Sequence, residues 1–482
     1  MNNRYLRISF LIIGIFITNP ILNPSFGNNI PNQKISFDWW NGLSSEWKNI
    51  FLKQLDKEDS TLTQEDLITI SNLKSLNCVK AKISDLTPIT SLDSLEKLNL
   101  MGTPLTNLSQ INGLKHLKKV NCTYSKVSRE EIEKFRNENS HLTVYPVLYP
   151  DWWDTIDDEW RKIFKKSIKI EREPNLMDLN KIYDMGILIC SGNGINEFAL
   201  TNLEPIANLK NLKILFITNS NITSLEPIKN HTSLRVLHCA STKIKSLEPI
   251  KNLTNLVELD CSSTFVDNLE PIKLLTKIKK LSLLETKVTS LEPIGEFHNL
   301  EEIYLSDTEI DDISLLAEMP KLIKLHCGNT KINTLSPISE LTELRDLKAY
   351  NTNISDLSPL KKLVKLFSLS VSGTKINKLD NIAGLERIKD LNIASTQVTN
   401  IAPVRRMKLL ETIDLSGTQV TDLSPLKESF RLKTIWFPFT EIGSLSYFER
   451  LRNLEYIDCS ETQVTEEEIK RFNRLKPNCS IN

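Results

Sequence analysis

Glycine and histidine are scarce in this chain, at 14 and six of 482 residues, and 60 Lys and Arg are balanced by 60 Asp and Glu. Scarce glycine argues against phosphate-cradling loops, and scarce histidine against a metal cluster. The balance of charge leaves no net field to recruit nucleic acid or an acidic membrane. No Cys-x-x-Cys pair, phosphate loop, nucleophile elbow or His-Glu-x-x-His motif occurs, so no catalytic, metal or cofactor residues stand out. Hydrophobic residues at 40% and charged residues at 25% are ordinary globular usage, which excludes long disorder and a multi-span membrane protein.

One apolar run interrupts this pattern. Arg4 and Arg7 precede Ile8 to Ile17, which breaks at Asn19-Pro20 and reaches small residues at Ser25 and Gly27. Residues 1–27 read as a secretory signal peptide, because the run is far shorter than the roughly 20 residues of a spanning helix. Export to the periplasm, cell surface or medium is expected, with membrane attachment only if this leader stays uncleaved.

The rest of the chain repeats. Inward pairs run from Leu215/Ile217 to Ile457/Cys459 every 22 residues, twelve units without an insertion. A looser unit at Leu188/Cys190 precedes them, followed by about five extra residues, and three more lie at Leu76/Cys78, Leu98/Leu100 and Val120/Cys122. Alternation within each pair is a short strand whose first and third residues share one face. Threonine recurs from Thr242 to Thr462, where a hydroxyl can satisfy backbone groups in a turning chain. Proline recurs at a further slot, as at Pro205, Pro227 and Pro249, which suits the start of a short 3₁₀ or extended turn. A unit this short has no room for a long helix. The fold class is therefore an α/β solenoid with a parallel inner sheet and short outer turns.

An open stack exposes core at its ends and needs caps. Asp38-Trp39-Trp40 through Trp47, Ile50 and Phe51 is repeated as Asp151-Trp152-Trp153 through Trp160, Ile163 and Phe164, and six of the seven tryptophans lie in these two segments. Ser44 or Ser45 and Asp157 are candidate N-caps, and a carbohydrate platform is the weaker reading of the tryptophans. The far ends correspond too: Cys122, Ile132, Phe135 and Leu142 match Cys459, Ile469, Phe472 and Cys479. Two capped arrays follow, residues 38–147 with about three repeats and 150–482 with about thirteen.

Eight cysteines in an exported protein suggest disulfides. Seven of them, however, occupy the second inward strand slot where other units carry Leu, Ile or Val, and Cys479 replaces Leu142. All eight read as small buried hydrophobes. A Cys239–Cys261 bridge between neighbouring units is conceivable by spacing, but stacked side chains point in parallel.

The spacing L-x-x-L-x-L-x-x-[NT]-x-[LI] resembles the leucine-rich repeats, and the threonine slot with the following L-x-P-[IL] is similar to the bacterial internalin type. The resemblance covers about 290 residues of the second half and 60 of the first. It implies a binding surface and, as one option, an adhesin that engages host receptors. The chain departs from that type in lacking a wall-sorting signal, an immunoglobulin-like module and the usual N-terminal cap.

Outward slots are free to carry function because packing fixes the inward ones. Large side chains gather there in three places: Phe216, His238 and Phe265; Tyr304, His326 and Tyr350; and Trp436, Phe439 and Tyr456. Twelve units at about 4.8 Å and four outward residues at about 3.3 Å give roughly 700 Å² of face. That is near the roughly 800 Å² per partner of a standard protein interface and too open for a small-molecule substrate. A protein partner, with no nucleic acid and no cofactor, is expected; a stiff surface or envelope scaffold is the alternative, and an enzyme is disfavoured.

Overall fold

The computed structural model describes residues 34–58, 61–190 and 200–482. The expected leader lies outside the described residues, as does most of the insertion after Cys190. The chain divides into two compact units between Val144 and Tyr145.

The first unit begins with helices α1 (Phe37–Asn41), α2 (Ser45–Gln54) and α3 (Gln64–Ser71). A parallel sheet follows: β1 (Ser75–Asn77), β2 (Lys97–Asn99), β3 (Lys119–Asn121) and β4 (Thr143–Tyr145), with α4 (Arg129–Glu138) before the last strand. Ser44 caps α2 by accepting from the Trp47 amide. The side chains of Trp47 and Phe51 close over the first repeats, and the Trp47 indole donates to the Asp85 carbonyl. At the other end Ile132 and Phe135 of α4 are buried in the same core.

The second unit repeats the plan on a larger scale. Helices α5 (Pro150–Thr155), α6 (Asp158–Ile168) and α7 (Leu176–Tyr183) open it. Fourteen parallel strands follow in sequence order. They are β5 (Ile187–Ile189), β6 (Ile214–Phe216), β7 (Val236–His238), β8 (Glu258–Asp260), β9 (Lys280–Ser282), β10 (Glu302–Tyr304), β11 (Lys324–His326), β12 (Asp346–Lys348), β13 (Ser368–Ser370), β14 (Asp390–Asn392), β15 (Thr412–Asp414), β16 (Thr434–Trp436), β17 (Tyr456–Asp458) and β18 (Ser480–Ile481). From β6 to β17 each residue pairs with the residue 22 positions on, as Leu347 with Leu369. Helix α8 (Glu466–Leu475), N-capped by Thr465, closes the array with Phe472 fully buried.

Each slot of the repeat has one physical task. The inward residues form a single continuous core from Leu148 to Cys479. The threonine hydroxyls donate to the carbonyl three residues earlier, as Thr330 to Cys327 at 2.7 Å, so the turn keeps a buried acceptor satisfied. The proline slot opens a 3₁₀ segment, as in Glu226–Ile228. Leu315, Asn381 and Tyr447 occupy the same slot and the segment still forms, so proline favours this turn without being required. The tryptophans act as caps: Trp160 is completely buried and its indole donates to the Asn202 carbonyl, the counterpart of Trp47 in the first unit.

All eight cysteines are buried thiols. Burial raises their pKa, to about 12 for Cys78, Cys122 and Cys327 and to about 11 for Cys459 and Cys479. They are core residues, as their slot implied.

Candidate functional site

The inner face of the second unit is built from outward columns, one residue per strand in each, about 4.8 Å apart along the stack. One column holds Phe216, His238, Asp260, Ser282, Tyr304, His326, Lys348, Ser370, Asn392, Asp414, Trp436 and Asp458, in register across β6 to β17. Its neighbour holds the first residue of each strand.

Two parts of this face repeat one arrangement four units apart. His238 stacks on Phe216, with ring centres 4.3 Å apart and planes 9° from parallel, and its Nε2 lies 2.8 Å from Glu258 Oε1. His326 meets Tyr304 edge-on at 4.9 Å, and its Nε2 lies 3.0 Å from Asp346 Oδ2. In each case the aromatic ring comes from the preceding strand and the carboxylate from the following one. Burial alone would raise the pKa of both carboxyls, but His238 and Lys280 outweigh it at Glu258, as do His326 and Lys348 at Asp346, and both end below the usual range. The Tyr304 hydroxyl donates to Glu302 at 2.6 Å, and burial with that carboxylate raises its pKa. Lys324 lies 5.7 Å above the Tyr304 ring.

Tyr350 and Phe439 are not strand residues. Tyr350 follows the inward Ala349 and still faces inward of the curve, its ring lying over Gly328 of the neighbouring unit. A Cβ on Gly328 would sit 2.4 Å from Tyr350 Cε1, so the absence of a side chain there is what seats the ring. Phe439 lies farther round the turn, in the left-handed slot at φ +57°, and is 70% exposed. It lies three residues past the end of β16 and so outside the two strand columns. Phe265 also lies outside the strands, two residues past the left-handed Ser263, with Lys287 Nζ 5.5 Å from its ring centre. The third group therefore reduces to Trp436 and Tyr456, with ring centres 6.2 Å apart.

Between Tyr350 and Trp436 the side chains of the face become small. Ser368, Ser370, Ser372, Asn392 and Thr412 floor a hollow of about 680 Å³, with Asp390 and Asp414 on its lining and Lys348 at the Tyr350 end. Asp390 accepts from the Thr412 hydroxyl at 2.7 Å, and Asp414 accepts from the Asn392 amide at 3.2 Å and from the Ser416 amide. Sequence reasoning missed these residues. The signal was a run of small residues at outward slots, flanked by two aromatics.

A family model described as "Leucine Rich repeats (2 copies)" matches residues 232–274 and 298–340. The chain is a leucine-rich repeat solenoid. No curated protein matches it in sequence. Among solved structures, an internalin (InlF) of Listeria monocytogenes is 20% identical, with 86% of this chain and 94% of that one covered and a TM-score of 0.51. A leucine-rich repeat protein of Leptospira interrogans is 19% identical, covering 88% of this chain and all of that one, with a TM-score of 0.55. The functional domain of Listeria InlJ, described as including a cysteine ladder, is 17% identical over 92% of this chain and 79% of that one, with a TM-score of 0.51. At these identities the likeness is one of fold.

Proposed function

We propose that this leucine-rich repeat solenoid is an exported, non-catalytic recognition protein that holds a protein partner on the inner face of its second unit. The observation that carries this reading is the inner face itself. Large aromatics stand there half-buried and held by neighbours: the Tyr304 hydroxyl by Glu302, the His326 ring nitrogen by Asp346 and the Tyr350 ring by its seat on Gly328. Rigid aromatics set among charged groups are the composition of binding anchors, and ordering them in advance lowers the entropy cost of association. The face of roughly 700 Å² matches one side of a protein interface. Export rests on the leader read from Arg4, Arg7 and the Ile8–Ile17 run. No helix among the described residues is long and apolar enough to cross a membrane.

Replacing Tyr304 and Tyr350 together with Ala removes two anchors without touching the core. The double variant is expected to lose capture of extracytoplasmic partners in a pull-down while melting within a degree or two of the parent. Capture at the parent level would reject these residues as contacts.

A further inference from the structure

We infer that the partner's principal contact is the hollow between Tyr350 and Trp436, and that it receives one helix or hairpin of a protein presenting a Lys or Arg side chain. This inference rests on the proposed recognition role. Three observations carry it: width, floor and charge.

Tyr350 belongs to the β12 unit and Trp436 to the β16 unit, so four steps of about 4.8 Å put the two rings roughly 19 Å apart. An α-helix with its side chains is about 10–12 Å across, and half a ring thickness on each side leaves about 15 Å, which admits one such element against either wall but not two side by side. The floor is low because Ser368, Ser370 and Ser372 on one unit are followed by Asn392 and Thr412 on the next two. An inserted element therefore reaches the sheet without displacing a large side chain.

Charge selects the sign of the inserted group. On the earlier strands two carboxylates lie beside lysines, Glu258 at 3.2 Å from Lys280 and Glu302 at 3.9 Å from Lys324, while Asp260 is held by the Ser262 hydroxyl and amide. In the hollow, Asp390 and Asp414 are held by hydroxyl and amide donors, and among the described residues neither has an ion-pair partner. Neutral donors orient the two carboxylates, and against the single Lys348 on the lining they leave the hollow net negative, which favours an incoming cation over an anion. The adjoining edge of the sheet is net positive, with Arg345, Lys365, Arg387 and Lys389 outnumbering Asp390 and Glu411 around the exposed Phe367. A partner element with a basic residue over the hollow and an acidic one over this edge would be fixed in one orientation.

The test is selection from a display library of random linear peptides on the full mature chain, followed by binding of individual selected peptides to variants. Peptides rich in Lys or Arg are expected, binding roughly tenfold more weakly to Asp390→Asn/Asp414→Asn and to Trp436→Ala. Ser370→Arg, which fills the floor with a cation, is expected to abolish binding and serves as the second variant should Trp436→Ala melt early. Peptides that are acidic or uncharged would overturn the inference. Peptides lost on Tyr304→Ala but indifferent to all three hollow variants would overturn the hollow while leaving recognition on the inner face intact. Selection of nothing, or of peptides indifferent to both sets, would overturn both readings. Displacement of the peptides by neutral glucan or chitin oligomers would make the hollow a sugar site and overturn its assignment to a protein.

Discussion

His231 occupies an inward slot that Leu209, Leu253, Leu275, Leu341 and Leu363 fill in other units, and it is completely buried. Its Nε2 lies 3.0 Å from the Ile206 carbonyl oxygen, while Nδ1 has no hydrogen-bond partner. Burial lowers its pKa against two backbone contacts that raise it. His231→Leu is expected to stabilise the second unit. An orphaned buried nitrogen costs about 1–3 kcal/mol, and the hydrogen bond lost contributes about 1 kcal/mol. The Ile206 carbonyl keeps a partner, the Leu209 amide at 2.8 Å, so no new orphan arises. The net gain at pH 7.5 is about 1–2 kcal/mol once the apolar leucine side chain is added. The sign with pH follows from linkage. A histidine held neutral in the folded state takes up its proton more readily when unfolded, so the parent loses stability as pH falls below the ordinary imidazole value of 6.5. Each pH unit costs up to about 1.4 kcal/mol, until the folded form also protonates. At pH 5 the advantage of the leucine variant therefore grows by up to about 2 kcal/mol. Unfolding entropy for a unit spanning Tyr145–Asn482 is about 0.7 kcal/mol/K at about 2.1 cal/mol/K per residue, so 1 kcal/mol shifts the melting temperature by about 1.4 °C. Paired thermal melts at pH 7.5 and pH 5 should show a gap between variant and parent that widens by up to roughly 3 °C. Equal gaps at both pH values, or a variant that melts lower at pH 7.5, would refute the reasoning.

The other predictions address different slots. Gly328→Ala places a Cβ 2.4 Å from the Tyr350 ring and should drive the ring off its seat, weakening partner capture about as much as Tyr350→Ala while the melting temperature hardly moves. Thr330→Val keeps the shape but removes the donor to the Cys327 carbonyl, and should cost about 1–3 kcal/mol, read as faster hydrogen exchange in β11 and β12. Trp160→Ala should cost about 3–5 kcal/mol and unprotect β5 and β6 before the rest of the sheet, because the cap fails from one end. Native protein at pH 8 should not react with a thiol reagent at any of its eight cysteines, since burial disfavours every thiolate; rapid labelling of even one would contradict the core assignment.

The fold was legible because each inward slot answers to a single requirement. Leucine, isoleucine, valine, cysteine, alanine and, at Phe437, phenylalanine interchange at the second inward position, from Ile217 to Cys459, since the slot asks only for an apolar group. The threonine slot and the Trp47 and Trp160 caps were legible for the same reason. The site was less so. Period-two alternation marks where a strand begins but not where it stops, so Phe439 was grouped with Trp436 although the chain has already turned at φ +57°. The hollow was invisible to a reading that looked for large side chains, because Ser368, Ser370 and Asn392 define it by how little they fill. Gly328 matters through a neighbour 22 residues away, and only the register of β11 on β12 shows that.

The two histidine arrangements bear on where the partner's energy of binding is concentrated. At Phe216–His238–Glu258 and at Tyr304–His326–Asp346 the polar atoms are already engaged: a carboxylate at each Nε2, Glu302 at the tyrosine hydroxyl and lysine ammonium groups beyond. A partner gains little by replacing hydrogen bonds that are already made, so these places offer chiefly apolar ring surface. From β13 to β15 the balance reverses. Side-chain volume is withdrawn, the carboxylates of Asp390 and Asp414 face a single lysine, Lys348, on the lining, and aromatic walls stand at both ends. Desolvating that charge against a buried cation is where discrimination between partners is greatest, because the wrong sign there costs more than a missing contact elsewhere. If a partner docks on this face as proposed, the earlier strands would offer it apolar surface and the hollow would discriminate by charge.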